Sequence, residues 1–202
     1  LKGSLNISGD KSISHRSVIM GAMSIGQTEI RNLLESKDIL STINILRKLG
    51  VKIRKNNGVW IISGVGTCGF KEPNQNLDAG NSGTTSRLLF GAVATNPIHT
   101  IFIGDKSLSS RPMSRVTNFL EDIGAKIKLT KNNYLPVSIQ GSQNCLPLKH
   151  TITKPSAQIK SSIMLAAINI NGQTSIIEKQ ATRDHTEIMF KYLGIKYKRK
   201  IY

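Results

Sequence analysis

The chain has 202 residues, 39% of them hydrophobic, and 28 Lys plus Arg face 12 Asp plus Glu, a formal net charge of +16. That length suits one large domain or two small ones, and the Ile, Leu and Val content excludes a disordered chain. No apolar run approaches the roughly 18 residues of a membrane-spanning helix, and Cys68 and Cys145 form neither a disulfide framework nor a metal-ligand spacing, which fits reduced thiols in a cytosolic protein.

The charge has three readings. It is a nucleic-acid footprint, a field that draws small anionic substrates, or a Lys-rich bias spread over solvated faces. The lysines are scattered, and the one dense run is Lys196, Lys198, Arg199 and Lys200, with no aromatic platform interleaved. The chain begins at Leu1 rather than Met, without a charged n-region or an apolar h-region, so the start is expected to be cut.

In chain order, the polar block Asp10–Arg16 comes first, and Ser17–Ser24, small and apolar all round, predicts a buried helix. Thr28–Ile30 is β-prone. Ile39, Ile43 and Leu46 at helical spacing, with Arg47 and Lys48 outside, predict an amphipathic helix that ends at Gly50. Strands are expected at Val51–Arg54 and Val59–Ser63, joined by Asn56-Asn57-Gly58.

The order then repeats. The block Gly80–Arg87 precedes the buried-helix pattern Leu88–Thr95, the strand pattern Thr100–Ile103 and the amphipathic set Met113, Val116, Leu120 and Ile123. Gly124 closes that helix, and strands follow at Ala125–Leu129 and Pro136–Gln140 around the turn 131–133. The third round has the block Pro155–Ser161, the buried helix Ser162–Ile168, the strand Thr174–Ile177 and the amphipathic set Ile188, Met189, Tyr192 and Leu193 before Gly194. The closing glycines recur about 70 residues apart, the mark of an internal repeat. Each round reads as βαβαββ, and the third lacks its final strand. The expected fold is α/β (α+β): three buried inner helices, with amphipathic helices and short mixed sheets outside.

The polar blocks fall just before the three buried helices. Helix N-termini carry free N–H groups and a positive dipole end, so three such ends on one face would attract an anion. Lys11, Arg16, Arg111, Lys160 and Arg183 could neutralise phosphate or carboxylate, and Gly83 would allow close backbone approach. Taken singly, each block has a plainer meaning. Ser12, Ser82 and Ser156 suit N-caps, Asn81-Ser82-Gly83 suits a turn, His15 suits a helix surface, and Lys160 and Arg183 suit solvated charges. Threefold repetition favours the functional meaning.

These blocks resemble the 5-enolpyruvylshikimate-3-phosphate synthase family (3-phosphoshikimate 1-carboxyvinyltransferases). The resemblance runs through Gly9–Arg16, Asp78–Thr85, Gly104–Met113, Ser156–Ser161 and Thr182–Glu187, in order along the whole chain. The Ser-Ala-Gln and Arg-Asp-His-Thr-Glu forms are similar to the bacterial class II branch. The family implies an enolpyruvyl transferase-like fold of two domains, each of three βαβαββ units. Here they would be residues 10–66, 78–141 and 148–202, with 1–9 a strand belonging to a second domain that the chain lacks. It implies transfer of the enolpyruvyl group of phosphoenolpyruvate to the 5-hydroxyl of shikimate 3-phosphate, releasing phosphate, with no metal or organic cofactor, no specific nucleic acid and no membrane. The complete enzyme would be a cytoplasmic monomer.

By the resemblance, Lys11, Ser12, Arg16, Ser156, Gln158 and Arg183 would hold shikimate 3-phosphate, with Ala157 in the same motif. Lys11, Asn81, Gly83, Thr84, Arg111 and Gln158 would line the phosphoenolpyruvate side, with Lys11 and Arg111 catalytic. Gly83 would leave room for phosphoenolpyruvate and the inhibitor glyphosate, and Leu88 stands where many members have Pro. The family's second domain supplies an acidic base and further Lys and Arg ligands, so this chain alone is expected to have little or no turnover. Among rivals, the UDP-N-acetylglucosamine enolpyruvyl transferases commonly carry a Cys in the loop that is Ser107–Ser110 here, and their Lys-Asn pair is Lys11-Ser12. No motif of the RNA 3′-phosphate cyclases is present. A basic nucleic-acid-binding module and a non-catalytic truncated remnant are the alternatives from other classes.

Overall fold

A computed structural model describes residues 7–131 and 133–198. The strand expected at 1–9 falls mostly outside the described residues, and residues 7–10 carry no regular secondary structure. Helix α1 (Lys11–Met23) starts at Asp10, whose carboxylate accepts from the Ile13 N–H at 2.8 Å. From Ser14 onward every α1 residue except Ser17 is buried. Strand β1 (Ile25–Ile30) follows, then α2 (Lys37–Lys48), which buries Ile39, Thr42, Ile43, Ile45 and Leu46. Strands β2 (Lys52–Asn56) and β3 (Val59–Val65) form a hairpin whose turn residues Asn57 and Gly58 have φ of 46° and 77°, as a tight primed turn requires. The sheet is antiparallel in the order β1-β3-β2, and α1 packs on β3.

The second group repeats this plan with additions. Strand β4 (Leu77–Asp78) pairs in parallel with β5 (His99–Ile103), and α3 (Gly83–Ala94) lies between them in sequence. A single-turn helix α4 (Lys106–Ser109) and the amphipathic α5 (Ser114–Asp122) lead to β6 (Lys126–Thr130) and β7 (Tyr134–Gln140). The sheet order is β4-β5-β7-β6. The third group has β8 (Lys149–Ile152) parallel to β9 (Ser175–Glu178), with α6 (Ala157–Ala167) between them and α7 (His185–Tyr192) after. No helix among the described residues is long and apolar enough to cross a membrane.

The three closing glycines do one job. Gly50, Gly124 and Gly194 have φ of 90°, 114° and 74°. Each donates to the carbonyl three residues back, and the next residue reaches back five: Val51 to Leu46, Ala125 to Leu120, Ile195 to Phe190. This paired bond is the Schellman ending, which a Cβ would strain.

Helices α3 and α6 pack most closely. A Cβ on Gly91 would lie 2.0 Å from the Ser162 carbonyl oxygen, so the two backbones nearly touch there. The small residues of both helices permit it. Three expectations change. The buried helices begin earlier than Ser17, Leu88 and Ser162, because Asp10, Ser82 and Ser156 cap them; Ser12 lies inside α1 and is no cap. His15 is fully buried rather than on a helix surface. Helix α7 is rotated from its expected face: Ile188 is 58% and Tyr192 88% exposed, while Thr186, Glu187 and Phe190 point inward. Polar partners for Thr186 and Glu187 on α1 and α6 set that rotation, overriding the apolar spacing.

Candidate functional site

The earlier helix starts place the polar blocks in the first turns of α1, α3 and α6. At α3, the Ser82 hydroxyl caps the Thr85 N–H at 3.1 Å. Gly83 and Thr84 are then the first two helical residues, whose N–H groups lie outside the helix's own ladder. Thr84 faces α6: the Gln158 Nε2 group donates to Thr84 Oγ1 at 2.8 Å, and Gln158 Oε1 accepts from Arg87 Nη1 at 2.8 Å. Both ends of the amide are thereby fixed. Arg111 donates to Asn81 Oδ1 at 2.5 Å and to Ser107 Oγ at 3.2 Å, and Asn81 donates to Asp105, the cap of α4, at 2.7 Å.

Gly83 sits between the two guanidiniums. A Cβ there would be 2.7 Å from Arg87 Nη1 and 3.6 Å from Arg111 Nη1. Arg87 is the cation that the sequence reading missed. It lies four residues after Gly83, hence on the same helix face, but a helix expected to begin at Leu88 leaves it outside. Burial pushes its pKa down, and Arg111 and then Arg115 push it further. A hollow of about 340 Å³ opens beside these arginines, lined also by Ser156, Gln158 and Ile159. A second hollow of about 440 Å³, between Arg47 at the end of α2 and Lys52 and Arg54 of the first sheet, touches none of the starts of α1, α3 and α6.

At α1, Lys11 forms an ion pair with Asp38 in the first turn of α2. Behind it runs a buried polar chain: His15 Nδ1 lies 2.8 Å from Thr42 Oγ1, Thr42 2.7 Å from Thr85 Oγ1, and Thr85 2.7 Å from Ser82 Oγ. The chain ties α1, α2 and the cap of α3. Burial lowers the His15 pKa from 6.5 to about 4; Asp38 opposes this, while Lys11 and Arg16 add to it. His15 is therefore neutral when folded near neutrality. Its folded pKa is depressed, so its contribution is complete above pH 6.5 and is lost as pH falls toward 4. Denaturation at pH 7 and pH 4.5 should show a stability loss about 2–3 kcal/mol smaller in His15→Gln than in the native chain. Equal losses would contradict this account.

The third helix end differs. The Ser156 hydroxyl caps the Ile159 N–H at 3.3 Å. Arg16 is buried and donates to Ser12 O (2.9 Å), Ser161 Oγ (2.6 Å) and Thr186 Oγ1 (2.7 Å), which joins α1, α6 and α7. Burial, and then the charge of Arg183, push its pKa down; Glu187 and Asp10 oppose. Lys160 does not face the site as expected. It is 4% exposed, and its Nζ lies 2.9 Å from Glu178 Oε2 and 2.6 Å from Glu187 Oε1. Its charge is consumed internally, since a buried ammonium needs such partners. Arg183 is exposed on the loop between β9 and α7. The structure thus ties Thr84 to Gln158 directly and Arg111 to Asn81, sets Arg183 within electrostatic reach of Arg16, and leaves Lys11 with Asp38.

The starts of α3 and α6, with Arg87 and Arg111 beside them, give this α/β domain a basic hollow of the kind that suits small anions. The sequence model of the EPSP synthase (3-phosphoshikimate 1-carboxyvinyltransferase) family matches residues 1–200. The 3-phosphoshikimate 1-carboxyvinyltransferase of Cereibacter sphaeroides is 46% identical over 195 residues, and that of Bradyrhizobium sp. BTAi1 47% over 196; each match covers 96% of this chain and 44% of the relative. Among solved structures, EPSP synthase from Acinetobacter baumannii superposes with a TM-score of 0.94 at 41% identity, covering 98% of this chain and 46% of that one. The chain belongs to the EPSP synthase family, and it spans less than half the length of these relatives.

Proposed function

We propose that this chain is the first-domain half of a 3-phosphoshikimate 1-carboxyvinyltransferase, built of three βαβαββ units (10–66, 78–141, 148–202). Residues 1–9 would pair with a second domain, and the complete enzyme would be a cytoplasmic monomer. The observation that carries the reading is the joined helix ends: Thr84 of α3, Gln158 of α6 and two arginines meet around Gly83.

In the reaction, the 5-hydroxyl of shikimate 3-phosphate adds to C2 of phosphoenolpyruvate while C3 gains a proton. The tetrahedral adduct then loses phosphate and the C3 proton, which restores the double bond. Lys11, Asn81, Gly83, Thr84 and Arg111 would receive phosphoenolpyruvate, with Gln158 reaching both substrates. Ser12, Arg16, Ser156 and Arg183 would hold shikimate 3-phosphate, together with Lys11. Lys11 and Arg111 would stabilise charge as the adduct forms, and Lys11, at the exposed rim, can pass a proton. The Asp38 carboxylate holds the Lys11 ammonium in place until substrate arrives.

In the complete two-domain enzyme, Arg111→Ala should lower kcat/KM by about 10²–10³-fold, the usual loss for one preorganised charge donor. Near-normal turnover would overturn the assignment. For the chain itself, calorimetric or NMR titration with shikimate 3-phosphate should show saturable binding. No response from the folded chain at millimolar ligand would refute a self-sufficient first-domain site.

A further inference from the structure

Lys160 was expected to meet a ligand, and its actual partners suggest a different use. Glu178 is the last residue of β9. One of its carboxylate oxygens holds Lys160 at 2.9 Å, and the other accepts the Thr182 hydroxyl at 2.5 Å. Thr182 lies in the irregular loop that leads to α7, and Arg183 is the next residue. A buried lysine on α6 is thereby coupled, through one carboxylate, to the backbone that carries Arg183.

The coupling has an electrostatic reason. Arg183 stands close enough to Arg16 for its charge to disfavour protonation of the buried guanidinium. The charge of Arg183 opposes that of the buried Arg16, so this neighbour does nothing to hold the loop in place. Arg16 is fixed by its three bonds. Arg183, on an exposed loop, needs a tether. Lys160 also binds Glu187 at the start of α7, so the loop is held at both ends by the same ammonium.

We propose that Lys160, Glu178 and Thr182 form a positioning clamp that fixes the loop carrying Arg183 against α6, so that Arg183 is held ready for a phosphate monoester. The identity of that ligand as shikimate 3-phosphate rests on the proposed function; the clamp itself does not. None of the three clamp residues touches the ligand.

The test uses Thr182→Val, which removes the hydroxyl and keeps the branched shape, and Thr182→Ser, which restores the hydroxyl. Backbone amide exchange at residues 180–184 should rise about tenfold in Thr182→Val, with α6 and the three sheets unaffected. Affinity for shikimate 3-phosphate should fall about 5–10-fold, within the range expected when one charge-assisted bond loosens. Thr182→Ser should restore both. Unchanged exchange in Thr182→Val, a rise spread through α6, or a Thr182→Ser chain that behaves like Thr182→Val would each overturn the clamp. If exchange responds as expected but the native chain binds no shikimate 3-phosphate, the clamp stands and the proposed function fails.

Discussion

Lys160→Met should leave the chain unfolded at neutral pH or melting far below the native protein. The ammonium lies between Glu178 and Glu187, both largely buried. Removing it strands two carboxylates, and breaking a buried ion pair in this way costs about 3–5 kcal/mol. Domains of this size have only about 5–15 kcal/mol in hand. No spare donor stands ready, since Glu187 Oε2 is already buried without a partner. The triple change Lys160→Met, Glu178→Gln and Glu187→Gln removes the stranded charge and should recover much of the loss. Thermal or urea denaturation compares the three chains. A single variant that melts within a degree or two of the native protein would show that the ions are better hydrated than their burial indicates.

Gly91→Ala should be nearly as damaging, for a reason free of charge. The added Cβ would meet the Ser162 backbone, with its carbonyl oxygen at 2.0 Å and its carbonyl carbon at 2.7 Å. Neither can turn aside, so α3 and α6 must separate. Overpacking of this kind costs about 1–3 kcal/mol or more. Because Thr84 and Gln158 bridge the same two helices, the site should loosen along with the fold. Gly83→Ala is the matched control. The one atom its Cβ would crowd is the tip of a long side chain, Arg87 Nη1 at 2.7 Å, which can swing away, so the melting temperature should hardly move. If the two variants melt alike, the close approach of α3 and α6 does not limit stability.

The repeat was legible in the sequence because its punctuation is local. A glycine at the C′ position, an apolar 3.6-residue stripe and an all-apolar helix are each decided within a few residues, and α2, α5 and all three endings follow. The family, and with it the fold class, was legible from the ordered blocks. What escaped depends on partners distant in the chain. Lys160 meets Glu178 and Glu187, 18 and 27 residues later, and nothing local distinguishes it from a solvated lysine. Arg16 finds Thr186 across 170 positions, and that bond turns α7 away from the face its apolar spacing suggested. Arg87 was hidden by a boundary error: Ser82 starts its helix one and a half turns before the apolar run does.

The buried ions divide the excess positive charge of this chain into two populations with different salt responses. Lys160 is balanced by Glu178 and Glu187 inside the fold, and the buried Arg16 is held by the neutral oxygens of Ser12, Ser161 and Thr186. Lys11, Arg111, Arg183 and the scattered lysines stand at the surface, where about 0.1 M salt confines their field to roughly 10 Å. Raising ionic strength therefore dims the attraction that draws anions in while leaving the scaffold that aims the helix ends intact. Capture and architecture, though built from the same residue types, answer to different solvents.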